Sequence, residues 1–226
     1  MKYTTDNAYT DRETKPAYVY DKYNPLLLGS VLDVGADGKY LKPYVEQGGG
    51  AYCGIGFGER VDMEIDLDAG PLPFEDTSFD TVLCLDVLEH LEKIHFMFHE
   101  LCRVARKNVI ISLPNPYGGF LSMLRRGDYA PDKHLKFYGL PVEPPSDRHR
   151  WFFSTKEAKA FLRHNASNAG YRIVQLDSEG ILHSNYKRRL KIIAGNIILK
   201  LLFRKDVTEL EMHHGTLWCC LEKCDD

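Results

Sequence analysis

Short apolar runs bounded by turn residues recur through the first half of the chain, at 31–34, 51–55, 61–67, 81–85 and 109–113. Runs of four to seven residues rich in Val, Ile and Leu are what strands look like when both of their faces are buried. Helical spacing follows the first and fourth runs, over 39–47 and 88–106, so right-handed crossovers can cover both faces of a parallel sheet. The link between the second and third runs is too short for a helix. A third helix is predicted from Ser154, where Ser154-Thr155-Lys156-Glu157 reads as a capping box, through Phe161 and Leu162 toward Gly170. Two further strands, 171–176 and 216–221, have alternating or β-branched and aromatic content and are expected to pair as a hairpin at one sheet edge.

Composition narrows this picture without changing it. The chain has 226 residues, 44% of them hydrophobic, and a formal net charge of −3. That length suits one core, so residues 1–226 are read as a single domain with three additions. These are an N-terminal lid segment, 1–29; an acceptor-side insertion rich in Pro, Gly and Tyr, 114–153; and a basic amphipathic insertion, 181–213. The charge balance argues against nucleic-acid binding through a basic surface. The start of the sequence has no apolar signal core, and no run approaches the roughly 18 apolar residues of a membrane span, so a cytoplasmic protein is expected. Of the six cysteines, Cys219, Cys220 and Cys224 cluster but lack paired spacing and a fourth ligand. No metal is assigned.

The segment Val31-Leu32-Asp33-Val34-Gly35-Ala36-Asp37-Gly38 is a strand entering a glycine-containing turn before a helix. Such a turn lets backbone approach a ligand closely, although many strand-to-helix turns contain glycine for steric reasons alone. Neither a full G-x-G-x-x-G nor a P-loop lysine is present, which disfavours a nicotinamide dehydrogenase and a nucleoside triphosphatase. Together VLDVGADGKYL, YCGIGF, VDMEIDLDAGPLPFEDTSFDTVLCLDVLEHL and ISLPNP resemble the class I S-adenosylmethionine-dependent methyltransferases, especially the branch acting on small molecules and glycans.

That resemblance implies a Rossmann-like α/β fold, with a seven-stranded mostly parallel sheet, helices on both faces and an antiparallel last strand. It implies S-adenosylmethionine as cofactor, with Asp33 orienting the turn and the methionine amino group. Gly35, Ala36, Asp37 and Gly38 would receive the methionine part, Asp66 would accept from the adenine amine with Leu67 beside the ring, and Leu85 and Asp86 would line the space near the methyl. The family pattern D-x-G-x-G-x-G is altered here: either Asp37 replaces a glycine or the turn is one residue shorter. Where the family carries an acid for the ribose, this chain has Gly56, followed by Phe57 and, three residues on, Glu59. Replacing Gly56 by Asp is therefore expected to strengthen cofactor binding.

If the acceptor must lose a proton, His90 and His149 are the candidate bases, each equally readable as a structural hydrogen-bonding residue. Tyr117, Phe120, Tyr138 and Trp151 could wall an acceptor site. His95 and His99 stand four apart but lie off the stripe of Leu91, Ile94, Phe98 and Leu101, so a solvated face is expected. Residues 187–205 contain no acid, and the apolar stripe from Leu190 to Leu202 suits a helix packed on the sheet or a second subunit, or one lying on an anionic membrane. The expected activity is O-methylation of a small molecule, sugar or lipid-linked acceptor. The alternative is a catalytically degenerate binding or interaction protein on the same fold. Oligomeric state is not legible.

Overall fold

The computed structural model describes residues 9, 11–120, 143, 148–180, 190, 193–195, 197–198, 200–201 and 214–224. Seven strands form one sheet in the order β3-β2-β1-β4-β5-β7-β6. They are β1 (Ser30–Val34), β2 (Ala51–Gly56), β3 (Met63–Glu64), β4 (Phe79–Leu85), β5 (Ala105–Leu113), β6 (Tyr171–Gly180) and β7 (His214–Lys223). The first five strands are paired in parallel, while β7 runs antiparallel between β5 and β6. The sheet is thus the expected Rossmann-like one, and the two strands foreseen as an edge hairpin pair with each other.

Side-chain alternation divides the core into two layers. Val31, Leu83, Ile110, Trp218 and Cys220 join one buried cluster, while Leu32, Val82, Cys84, Val109, Ile111, Cys219 and Leu221 join the other. Successive side chains on a strand point to opposite faces, which is why adjacent residues such as Cys219 and Cys220 belong to different layers. The first layer is covered by α1 (Lys15–Tyr23) and α2 (Lys42–Gln47), the second by α3 (Ile94–Val104) and α4 (Thr155–Asn168). In α3 the buried positions Ile94, Met97, Phe98, Leu101 and Val104 keep the three-four spacing of one helix face. Ser154 caps α4 as the sequence indicates: its side chain accepts from Glu157 N, and Glu157 returns the contact to Ser154 N.

Several boundaries differ from those expected, each for a local reason. The span 88–106 is a 3-10 turn (Leu88–His90), then α3, then the first residues of β5. The break coincides with Asp68, whose carboxylate accepts from the backbone of Glu92 and Lys93. Helix α2 starts later than 39 because Lys39 has φ of 55°. Strand β3 is only two residues long. The Asp62 side chain takes the Gly54 N–H, and Asp66 accepts from Asp68 N, folding the chain away from the sheet. Helix α1 was not foreseen within 1–29. Its Tyr18, Val19 and Tyr23 pack on Trp218 in the first layer.

Candidate functional site

A cavity of about 480 Å³ opens beyond the carboxyl ends of β1 and β4, where open α/β sheets bind their ligands. Its lining includes Asp33 and the Gly35 turn, Tyr9 and Lys15 from the N-terminal segment, and Glu89, His90 and His149.

The turn is shaped by backbone constraints. Gly35 has φ of 81°, and a Cβ there would stand 2.2 Å from a methyl of Val87, so only glycine fits. Both Gly35 N and Ala36 N donate to Ile55 O, at 2.8 and 2.9 Å, which ties the turn to β2. Asp33 receives the Tyr52 hydroxyl at 2.7 Å. Burial raises the Asp33 carboxyl above its ordinary range, while the Tyr52 hydrogen bond and the Lys15 charge pull it back. Burial and the neighbouring Asp33 push the Tyr52 hydroxyl far upward, so it remains a donor. Asp37 is exposed and pairs with Arg12 and Arg60.

Asp86 has φ of 57°, and its carboxylate accepts from Ser112 Oγ at 2.7 Å and from Lys15 Nζ at 2.8 Å. Lys15 also lies 5.7 Å from the ring centroids of Tyr9 and Trp218. The N-terminal segment thus supplies part of the cavity lining, a role for which Lys15 and Tyr9 carried no motif.

Glu89, also in the lining, is fully buried. Its Oε1 lies 3.6 Å from His90 Nε2 and 3.9 Å from His149 Nε2. The two imidazole rings are 4.3 Å apart and nearly perpendicular. His149 is distant in sequence and is brought here by a strap. Arg150 N donates to Glu89 O, Arg150 Nε to His90 O, and Trp151 Nε1 to Leu91 O. Trp151 is therefore an anchor of the strap, and it does not line the cavity. Glu89 went unremarked in the sequence, although its place between Leu88 and His90 was visible there.

The other predicted residues divide between the cavity and places away from it. Leu85, Ala36, Asp37 and Asp86 line the cavity, whereas Gly56, Phe57, Asp66 and Leu67 do not. Gly38 has φ of 92° and sits against the Tyr40 ring. Asp66 is exposed just past β3 and Leu67 is buried in the second core layer. Phe57 is 74% exposed. Tyr117 and Phe120 pack on Phe152, and Tyr138 lies outside the described residues. His95 and His99 are exposed on α3. All six cysteines are free thiols; burial, then Glu89, Asp33 and Asp86, raises the Cys84 thiol well above its ordinary value.

Residues 32–113 match the family model described as the methyltransferase domain. That span is thus a methyltransferase domain, and the chain is similar in fold to S-adenosylmethionine-dependent methyltransferases. The matched span runs from β1 to the end of β5 and so contains the turn, Asp86 and the Glu89-His90 pair. No curated protein matches the chain in sequence. Among solved structures, magnesium protoporphyrin IX methyltransferase from Synechocystis, with bound SAH, is 16% identical with a TM-score of 0.51, covering 96% of this chain and 90% of that one. An S-adenosylmethionine dependent methyltransferase from Mesorhizobium loti is 13% identical, with a TM-score of 0.52 and coverage of 97% and 100%. The [4+2]-cyclase SpnF is also 13% identical, at 0.55, with coverage of 95% and 82%. At such identities the likeness is one of fold, and a cyclase on that fold shows that fold alone does not set the chemistry. The methyltransferase domain implies binding of S-adenosylmethionine, and the carboxylate-bearing lining with its tight glycine turn fits a ligand that carries an ammonium group and a sulfonium.

Proposed function

We propose that this methyltransferase methylates a hydroxyl oxygen of a small molecule, sugar or lipid-linked acceptor. The observation that carries the reading is the convergence of Glu89, His90 and His149 on the cavity that the Asp33–Gly35 turn also lines. S-adenosylmethionine supplies, when bound, a methyl group on a positively charged sulfur. Asp33 would accept from the methionine ammonium, and Gly35 would let backbone approach it. Asp66 would accept from the adenine amine beyond β3, and Gly56 and Phe57 would face the ribose edge.

The acceptor oxygen forms its new bond to the methyl carbon as the carbon–sulfur bond breaks and leaves its electron pair on sulfur. Positioning at about 3 Å supplies much of the acceleration for such an in-line displacement. An alcohol must also lose a proton, which passes to the His149 imidazole, with His90 beside it. The cation so formed is stabilised by the buried Glu89 carboxylate, 3.9 Å away.

A lipid-linked or membrane-adjacent acceptor is supported by the second insertion. Among its described residues Leu190, Ile193, Ile197, Ile198 and Leu201 are 49–74% exposed, so this stripe is not packed on the sheet of its own chain as a buried helix would be. Among the described residues no helix is long and apolar enough to cross a membrane.

Calorimetric titration with S-adenosylhomocysteine tests the cofactor half of the reading. Asp33→Ala is expected to weaken binding about 10- to 100-fold, by loss of a charge-assisted hydrogen bond, and Asp66→Ala about tenfold. Unchanged affinity in either variant removes that residue from the site. For the acceptor half, His149→Gln should lower turnover on an identified hydroxyl acceptor while S-adenosylhomocysteine still binds; full turnover would end the role of His149.

A further inference from the structure

Glu89, His90 and His149 form a group that the acid–base reading uses only in part. Each offers one ligand atom, and all three atoms lie within 4.8 Å of one another. Two imidazoles and one carboxylate, leaving positions open, are a donor set for first-row divalent cations. A tetrahedral zinc site at about 2.0–2.1 Å from its ligands holds them about 3.3 Å apart. The Glu89 separations of 3.6 and 3.9 Å would close by about 0.3–0.6 Å to reach that geometry, and the two imidazole ligand nitrogens lie within 4.8 Å of each other.

Burial points the same way. The Glu89 carboxylate is fully buried, and a buried anion is stable only opposite positive charge. A cation held between Glu89 and the two imidazoles would supply such a charge. The strap bonds from Arg150 and Trp151 fix His149 against the turn that carries the other two ligands, so the group is preorganised in the cavity lining.

We propose that Glu89, His90 and His149 bind one first-row divalent cation, zinc foremost, with its open coordination position turned into the cavity to take the oxygen of the acceptor. The proposal rests on the reading of this cavity as the acceptor chamber and alters one part of it. With the cation in place the imidazoles are neutral ligands, the acceptor hydroxyl is acidified by the cation, and its proton passes to water instead of to His149. The methyl-transfer step keeps the same balance, since the oxygen lone pair forms the new bond and the carbon–sulfur pair returns to sulfur.

The test uses Zn²⁺ and Co²⁺ alone, added to the metal-stripped full chain without any acceptor, with S-adenosylhomocysteine binding measured on the same preparation. One equivalent of Zn²⁺ should bind, and Glu89→Gln and His149→Gln should each weaken it at least about 100-fold, more than the loss of an outer-shell contact. Bound Co²⁺ should show the visible bands of a low-coordinate nitrogen and oxygen site in the unmodified protein, which decides the matter even if a variant fails to fold. No saturable binding, or a near-ultraviolet thiolate band assigning the metal to cysteine, overturns the proposal. S-adenosylhomocysteine binding without metal binding sinks the cation site and leaves the proposed function standing. Metal binding without S-adenosylhomocysteine binding does the reverse.

Discussion

Gly56 shows how one atom decides what a position can do. Its φ is 156°, and a Cβ would stand 3.3 Å from both Ala36 O and Gly35 Cα, backbone atoms of the turn after β1. The ribose carboxylate of the family pattern therefore cannot be restored here at no cost. Contrary to the expectation from sequence, Gly56→Asp should destabilise the protein by about 1–3 kcal/mol and weaken S-adenosylhomocysteine binding, as read by thermal melting and titration. Tighter binding would show that the turn yields. Asp80 is a second residue whose surroundings set its behaviour. It accepts from Ser30 N and Ser30 Oγ and pairs with Arg106 and Lys107. The Ser30 backbone bond, helped by Lys107 and opposed by burial, lowers its carboxyl to about 2. A depressed folded-state value gives stability that is present above about pH 4 and lost as pH falls through 2. Asp80→Asn should remove on the order of 1–2 kcal/mol at neutral pH and flatten that part of the acid unfolding curve. An acid limb unchanged in the variant would count against the assignment.

At the scale of elements, the strap at 148–151 is what turns two remote histidines into neighbours. Trp151→Phe keeps the ring but removes the donor to Leu91 O. Turnover on an identified acceptor should fall and stability should drop by about 1 kcal/mol, with S-adenosylhomocysteine affinity unchanged because Trp151 does not line the cavity. A loss of cofactor affinity would mean that the strap shapes the glycine turn as well. The basic insertion offers a different measurement. Leu190, Ile193, Ile197, Ile198 and Leu201 are exposed, and 187–205 has seven basic residues and no acid. Liposomes containing anionic lipid should carry the protein on flotation at low salt, at roughly 1 kcal/mol per basic residue near the surface. Neutral liposomes should not, and absence of flotation at low salt would end the membrane reading. Central strands and the α4 cap were legible because burial on both faces and the Ser154–Glu157 pair leave local marks. The split of 88–106 was not, because it depends on Asp68, which meets Glu92 and Lys93 only in the folded chain.

For the whole molecule, what was legible divides along sequence distance. The turn, Asp33 and Asp86 belong to contiguous motifs, whereas Glu89 gains meaning only beside His149, and Lys15 only beside Asp86. Helix α1 is the extreme case. Tyr9 Oη meets Thr216 Oγ1 at 3.0 Å, Tyr23 Oη donates to Gln175 Oε1 at 2.7 Å, and Lys22 Nζ reaches Asp177 Oδ1 at 2.7 Å. Helix α1 leaves the ribosome first among these elements, yet the Trp218 surface it covers is made about 200 residues later. At roughly 5–20 residues per second that delay is about 10–40 s. During it the aromatic face of the helix has no strand to rest on, and the wall of the cavity formed by Tyr9 and Lys15 cannot be in place. If the proposed cofactor site needs that wall, a nascent chain stalled before β7 should be unable to retain S-adenosylhomocysteine.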